Sequence, residues 1–153
     1  MQTTYRAILE KGDPVAAFPR GVSMRPLIWQ GKTSVGIIPL NGEPKINDIV
    51  VFSRAGDNQD IMHRLIAIKG DKYITRGDNC LGVEVNTRSQ IYGVVTQLTT
   101  RGKTIKVTDA GYLRYVKIWN AIWPIRKRIF QLRAMLFKIK QHLICRKGWV
   151  KQD

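Results

Sequence analysis

Residues 61–77, which read IMHRLIAIKGDKYITRG, contain two short apolar runs on either side of the triplet Lys69-Gly70-Asp71. Isoleucine, tyrosine and threonine favour the pleated, half-buried surface of a sheet, and adjacent glycine and aspartate favour a tight turn. The stretch therefore predicts two strands, 61–68 and 72–77, that follow each other through a turn.

Four more runs of the same kind lie between residues 20 and 108. Their positions are 35–40, 48–52, 91–98 and 104–108. Six short strands, separated by glycine, proline, asparagine and aspartate and interrupted by no helical period, predict a mainly β, mostly antiparallel domain over residues 1–110. The pattern argues against a doubly wound α/β sheet. A short helix is expected ahead of the strands, over residues 4–11.

A helical period replaces the strand pattern near the C-terminal end of the sequence. Apolar residues from Ile118 to Leu143 alternate between spacings of four and three, which places them on one side of a helix. Lysines and arginines are expected to occupy the remaining helix surface. Because proline suits the first turn of a helix better than its interior, Pro124 predicts a break near that residue and a main amphipathic helix over about 124–145.

The 153-residue chain is strongly basic, with 26 Lys and Arg against 11 Asp and Glu and a net charge of +15. Residues 1–110 hold 15 basic and ten acidic residues, whereas residues 111–153 hold 11 basic residues and one acidic residue. Most of the excess charge therefore belongs to a basic helical tail, 111–153. Three roles fit such a tail: packing on its own domain, contact with a partner helix, or binding at an anionic membrane surface through residues 112–145.

Composition excludes several classes of protein and site. An apolar fraction of 44% is too high for a disordered chain. Two cysteines cannot build a disulfide framework or a zinc site made of cysteine alone, and two histidines cannot build a His-rich metal cage. The first 21 residues lack the apolar run of a signal peptide, and no run reaches the ~18 apolar residues of a membrane span. The expected location is cytoplasmic, including the inner face of the membrane.

Three segments of the predicted β domain carry candidate catalytic side chains. Ser23 opens a Ser-Met-Arg-Pro stretch, His63 lies in a predicted strand, and Asp78 lies in a Gly-Asp-Asn stretch. Histidine is the base best suited to activate a serine hydroxyl near neutral pH, and a carboxylate can hold its imidazole in one tautomer. Each side chain taken alone also fits an ordinary structural role: a turn serine, a half-buried strand histidine and a turn-capping aspartate.

The order of these segments resembles the type I signal peptidase family. Ser-Met-x-Pro is followed by Asp-Ile-Val-Val-Phe, His-Arg-Leu-Ile and Arg-Gly-Asp-Asn within residues 20–98. Because the third of these segments contains a histidine, the sequence resembles the branch of the family that uses a Ser–His pair. That branch is related to the peptidase domains of self-cleaving repressors. The resemblance implies a curled, largely antiparallel β fold. It also implies a serine endopeptidase that cleaves a leader or precursor peptide, with Ser23 as nucleophile and His63 as general base.

The resemblance leaves two candidates for the third catalytic member. Asp78 matches the aspartate of the Gly-Asp-Asn box, which supports the site in this family. Glu84 lies a few positions later, where the Ser–His branch has a second acidic residue that is usually aspartate. Either carboxylate would orient the imidazole of His63.

The resemblance implies no metal or organic cofactor, and it implies a peptide or protein precursor bound in extended form along a strand edge. Family members typically carry an N-terminal membrane anchor that this sequence does not show, so processing of one dedicated precursor is expected. Two alternatives belong to other classes: a peptidase-fold sensor or regulator, and a basic protein that binds membrane or nucleic acid without proteolysis. The predicted strands lack interleaved aromatic and basic residues, which disfavours a nucleic-acid partner.

Overall fold

The computed structural model describes residues 5–57 and 59–148, and these residues form eight strands and three α-helices. The strands are β1 (Val15–Ala17), β2 (Thr33–Pro39), β3 (Ile49–Phe52), β4 (Ile61–Lys69), β5 (Lys72–Arg76), β6 (Glu84–Asn86), β7 (Ile91–Thr100) and β8 (Lys103–Lys106). The helices are α1 (Tyr5–Leu9), α2 (Ala110–Ala121) and α3 (Trp123–Gly148), and a short 3-10 helix spans Arg88–Gln90. The chain divides into two compact units, residues 1–116 and residues 117–153.

The strands form one antiparallel sheet in the order β1-β2-β7-β3-β4-β5-β6, with β8 also paired to β7. The long strand β7 is central because β2 pairs with it from Thr33↔Thr100 to Pro39↔Gly93, while β3 and β8 both pair with it as well. The prediction of a mainly β, antiparallel domain with a C-terminal helix is confirmed.

All six predicted strands are present within a few residues of their expected bounds. The two strands that the pattern missed, β1 and β6, have three residues each, which is too short to show an alternation. The predicted helix 4–11 is observed as α1, and Thr4 lies outside the described residues.

Strand β3 is buried on both faces of the sheet. All four of its residues are 0–1% exposed, and successive side chains point to opposite faces. Ile49 and Val51 belong to a large core cluster with Leu9, whereas Val50 and Phe52 belong to a smaller cluster with Leu65. A continuous apolar run such as Ile-Val-Val-Phe is what a strand covered on both sides requires.

The first turns of α2 belong to the β unit. Tyr112 and Val116 are 6% and 5% exposed and lie in the larger core cluster. The sequence placed the end of the β domain at residue 110, and the compact unit continues to Val116. The cause is the burial of these two side chains, which are one turn apart on the same side of the helix.

The second unit is helical, and α3 begins one residue before Pro124, as the proline predicts. Its large apolar side chains are exposed by about half. They include Ile125, Ile129, Leu132, Leu136, Phe137 and Ile139, while the side chain of Leu143 lies outside the described residues.

The expectation that basic residues keep to the remaining surface of this helix is wrong for Arg126. This arginine is 7% exposed, donates from Nη1 to the Trp119 carbonyl at 3.1 Å, and has its guanidinium carbon 3.5 Å from the centroid of the Trp119 ring. Arg133 and Lys140 follow it at seven-residue spacing, so all three lie on a line between the apolar stripe and the line of Phe130 and Phe137. The apolar side is therefore divided by a basic line.

We expect Gly93→Ala to destabilise the sheet. A Cβ at this position of β7 would lie 2.9 Å from both Ile37 Cγ2 and Leu9 Cδ1, which are buried in the larger core. Overpacking of this kind costs about 1–3 kcal/mol, measurable by urea denaturation. Gly111→Ala is the control, because a Cβ there meets nothing within 4 Å, and its stability should stay within about 1 kcal/mol of the wild type. Equal stability of the two variants would contradict the packing around Gly93.

Candidate active site

Ser23 lies in the turn-rich segment between β1 and β2 and is partly exposed. Its carbonyl oxygen accepts a hydrogen bond from the Asn79 amide at 2.7 Å, and the Asn79 side chain donates to the Val22 carbonyl at 3.2 Å. The backbone on both sides of the serine is thus attached to the Gly-Asp-Asn segment. The two sequence boxes that the resemblance joins meet directly in the structure.

Gly77 lies against Ser23 without any space for a side chain. A Cβ on Gly77 would lie 2.7 Å from the Ser23 carbonyl oxygen, 3.0 Å from Ser23 Cβ and 2.8 Å from Cys80 Sγ. The close approach, rather than an unusual backbone angle, explains why glycine precedes Asp78.

His63 is a buried residue of β4, 8% exposed, and it pairs with Val50 of β3 across the sheet. Its ring lies edge-on to Phe52 with the ring centroids 6.0 Å apart. The Nδ1 atom is buried and makes no hydrogen bond with any described residue, although Glu84 Oε1 lies 3.5 Å away. The imidazole is therefore fixed in the smaller apolar cluster with one nitrogen turned towards a carboxylate.

Glu84, the first residue of β6, is held by an arginine that the sequence did not point to. Arg54 donates from Nε to Glu84 Oε2 at 3.0 Å and from Nη2 to Oε1 at 2.9 Å. The Oε1 atom thus lies between Arg54 and His63. The paired side chains of Arg54 and Glu84 are 55% and 23% exposed, so the pair lies at the surface of the site.

Asp78 binds a different side chain, that of Arg64. Its carboxylate accepts two hydrogen bonds from Arg64, from Nε at 2.8 Å and from Nη2 at 2.7 Å, in a pair that is 97% or more buried. Arg64 also donates from Nη1 to the Asn47 carbonyl and to the Tyr112 hydroxyl, at 3.0 and 3.1 Å. The Asp78 carboxylate therefore anchors a buried network, and of the two candidate acids it is Glu84 that faces Nδ1 of His63.

The surroundings of His63 keep its imidazole neutral. Burial lowers the pKa of His63 below its ordinary value of 6.5, and the positive charge of Arg54 lowers it further. The negative charges of Glu84 and Asp78 oppose this change without cancelling it. A neutral imidazole near pH 7 can accept a proton, which is the property that a general base needs.

Cys80 does not have the surroundings of a reactive thiol. Burial is the main cause that raises its pKa above the ordinary value, and the charges of Glu84 and Asp78 raise it further. The thiol lies against Gly77, where it fills space in the loop that contacts Ser23. Its role in the described residues is packing.

A cavity of about 1000 Å³ opens beside Ser23. One side is formed by β1 and the residues that follow it, including Ala17 and Phe18, and the other side by Ile61 and Met62 of β4. No strand among the described residues pairs with the outer edge of β1, and Ala16 at its centre is exposed. The cavity therefore has a mixed polar and apolar lining and borders a strand edge that no described strand pairs with.

The four predicted residues fall into two groups, His63 with Glu84 and Ser23 with the loop that contains Asp78. His63 and Glu84 face each other, whereas Ser23 contacts the loop of residues 77–80 that also contains Asp78. Among the hydrogen bonds of the described residues, none joins Ser23 Oγ to His63. Catalytic hydrogen bonds often form only when substrate binds, so substitution of His63 tests the assignment of the base.

Comparison with known proteins gave no match to a family model, to a curated protein or to a solved structure. None of the helices formed by residues 5–57 and 59–148 is long and apolar enough to cross a membrane. The same residues contain no cluster of three or more His, Cys, Asp or Glu side chains that could hold a metal ion.

We expect Gly77→Ala to disturb the segment that carries Ser23, because the new methyl group would meet backbone as well as the Cys80 sulfur. If Ser23 is the nucleophile that the resemblance implies, its displacement by about 1 Å can cost roughly 100-fold in rate, so loss of cleavage should exceed loss of stability. Gly82→Ala is the matched control, since a Cβ there meets nothing within 4 Å. Full activity in a folded Gly77→Ala variant would contradict the role of this contact.

Proposed function

We propose that this protein is a serine endopeptidase of the signal-peptidase type that cleaves a leader or precursor peptide. The observation that carries the proposal is the arrangement around His63: a buried, neutral imidazole with Nδ1 turned towards Glu84, next to a loop that holds the backbone of Ser23. The order of the four sequence boxes supports the same assignment. A cavity of about 1000 Å³ beside Ser23 supplies room for a peptide, although Val51 and Met62, which line it, lie on the sheet face opposite His63.

The mechanism transfers the acyl part of a peptide bond to Ser23. His63 accepts the proton of the Ser23 hydroxyl as Oγ attacks the carbonyl carbon, and the negative charge that develops on the carbonyl oxygen needs backbone donors. The Ser23 N–H is a candidate donor, because no hydrogen bond of the described residues uses it. The protonated His63 then gives its proton to the leaving amine, and water releases the acyl group by the reverse sequence.

Glu84 is the better candidate for the third member, because its Oε1 is 3.5 Å from Nδ1 of His63. At this distance the negative charge of Glu84 favours the tautomer whose proton lies on Nδ1, which leaves Nε2 as the base. Asp78 supports the site indirectly, since both of its oxygens accept hydrogen bonds from Arg64.

The substrate is an extended peptide that lies beside β1 and reaches Ser23 at the rim of the cavity. Main-chain hydrogen bonds to a free strand edge bind a peptide regardless of its sequence, while pockets select its side chains. Met24, Ile28 and Met62 form the apolar part of the cavity lining, which favours small apolar side chains before the cut bond.

Ser23→Ala and His63→Ala should each abolish cleavage of a proteome-derived peptide library, read by mass spectrometry. Ser34→Ala and His142→Ala are matched controls outside the site and should retain activity. Because burial lowers the pKa of His63, kcat/KM of the wild type should fall with acid only below about pH 6.5, where the imidazole becomes protonated. Unchanged cleavage by either site variant would reject the peptidase assignment.

The helical tail supports a peripheral location at an anionic membrane surface on the cytoplasmic side. Its exposed apolar side chains and its large basic excess are the two properties that interfacial helices combine. The basic line through the apolar side is compatible with this role, because long basic side chains can extend from an apolar surface to lipid headgroups. A partner helix is the alternative occupant of this surface.

Substitution of Arg128, Arg133 and Lys140 by glutamine should weaken sedimentation with vesicles that contain phosphatidylserine. Each basic residue near an anionic surface contributes ~1 kcal/mol before screening, so the loss should be roughly 10- to 100-fold. The control replaces Lys69, Lys72 and Lys103, which are exposed residues of the sheet, by glutamine. Equal weakening in both triple variants would show that overall charge, not the tail, drives binding, and absence of wild-type binding would remove the membrane location.

A further inference from the structure

The surface pair of Arg54 and Glu84 lies directly behind His63. Arg54 follows β3 by two residues, and its guanidinium binds both oxygens of Glu84, at 2.9 and 3.0 Å. The oxygen that accepts the 2.9 Å bond, Oε1, is also the one that faces Nδ1 of His63 at 3.5 Å. One carboxylate oxygen is therefore shared between an arginine and the imidazole.

The fold gives Glu84 little other support. It begins the three-residue edge strand β6, whose only strand partner in the described sheet is β5. A glutamate side chain has several freely rotating bonds, whereas a guanidinium that binds both oxygens fixes the carboxylate in one plane. The position of the carboxylate opposite His63 thus depends on the fork geometry of Arg54.

We propose that Arg54 is a positioning residue, which holds the carboxylate of Glu84 opposite Nδ1 of His63 and restrains it from closing onto the imidazole. The catalytic consequence rests on the proposed function, while the effect on the imidazole itself does not. A carboxylate free to approach Nδ1 would stabilise the protonated imidazole, and the restraint therefore keeps His63 neutral to lower pH.

The charged and titratable groups around His63 come from strands β3 to β6 and from the residues that follow β3 and β5. Glu84 on β6 and Asp78 after β5 favour the protonated imidazole, and Arg54 after β3 disfavours it. Arg64, the next residue of β4, is committed to Asp78, and the Cys80 thiol is kept neutral by burial. Of the groups that act on His63, Arg54 and Glu84 are the most exposed, so they can be changed without opening the buried network.

The test is the NMR titration of the His63 imidazole in the full-length protein, which needs no substrate. Arg54→Gln should raise the pH midpoint of His63, because the positive charge is lost and Glu84 is released. Glu84→Gln should lower it, and the double variant Arg54→Gln/Glu84→Gln should lie between the two single variants. His142, the second histidine, serves as an internal reference in every spectrum.

The conservative variant separates charge from geometry. Arg54→Lys keeps the positive charge but cannot bind both oxygens in one plane, so the His63 midpoint should still rise, although less than in Arg54→Gln. Cleavage by Arg54→Lys should nevertheless fall, roughly tenfold, because a misplaced carboxylate orients the base poorly. Lys103→Gln, which removes one positive charge from β8, should change neither the midpoint nor the rate.

Two results would overturn the proposal. One is an unchanged or lowered His63 midpoint in Arg54→Gln, and the other is a double variant outside the interval set by the single variants. Loss of the peptidase assignment is a separate result, seen as cleavage that survives in Ser23→Ala while the order of midpoints holds. Agreement of the titration order with the acid limb of kcat/KM across the same variants would support both proposals together.

Discussion

The buried ion pair between Arg64 and Asp78 is the constraint on which the rest of the structure depends. A guanidinium with 1% exposure must have every donor satisfied, because an unpaired buried charge costs several kcal/mol. Arg64 makes four such hydrogen bonds, two to Asp78 and one each to the Asn47 carbonyl and the Tyr112 hydroxyl. These partners come from the loop after β5, the loop before β3 and the start of α2. One side chain therefore fixes four parts of the chain relative to each other.

The same pair determines how the candidate site is divided. Because both oxygens of Asp78 accept hydrogen bonds from Arg64, the Asp78 carboxylate anchors the Gly-Asp-Asn loop. This loop contacts Ser23 through the Asn79 amide and through the close approach of Gly77. Glu84 lies outside this network, where Arg54 and solvent can act on it. Structural and electrostatic tasks are thus carried by two different carboxylates.

Much of the fold could be predicted from the sequence because its strands are long enough to show a pattern. Strands β4 and β5 flank a Lys-Gly-Asp turn, and β3 is a continuous apolar run whose side chains are buried on both faces of the sheet. Strands β1 and β6 escaped because three residues show no alternation. The predicted boundary at residue 110 and the end of the compact unit at Val116 differ because Tyr112 and Val116 pack into the larger core, where the Tyr112 hydroxyl accepts a hydrogen bond from Arg64.

The residues of the candidate site were easier to find than the contacts among them. Ser23, His63, Asp78 and Glu84 stand in short boxes whose order can be read along the chain. The partner of Glu84 could not be found that way, because Arg54 follows β3 and meets β6 only through the order of strands in the sheet. Arg126 shows the same limit in the tail: its charge predicts a solvated position, and only the structure reveals the aromatic ring that covers it.

The pairing of β2 with β7 has a consequence for how the protein folds. Thr33 and Thr100 are partners, so the whole stretch from β3 to β6 is a loop that must close before the sheet is continuous. Contacts between residues so distant in sequence form slowly, because the chain loses conformational entropy on closing the loop before the new contacts stabilise it. Ser23 lies before this closure, and the histidine and both carboxylates lie inside it. A nascent or partly unfolded chain therefore carries all four candidate residues while they are still dispersed, and the candidate site forms only with the complete topology.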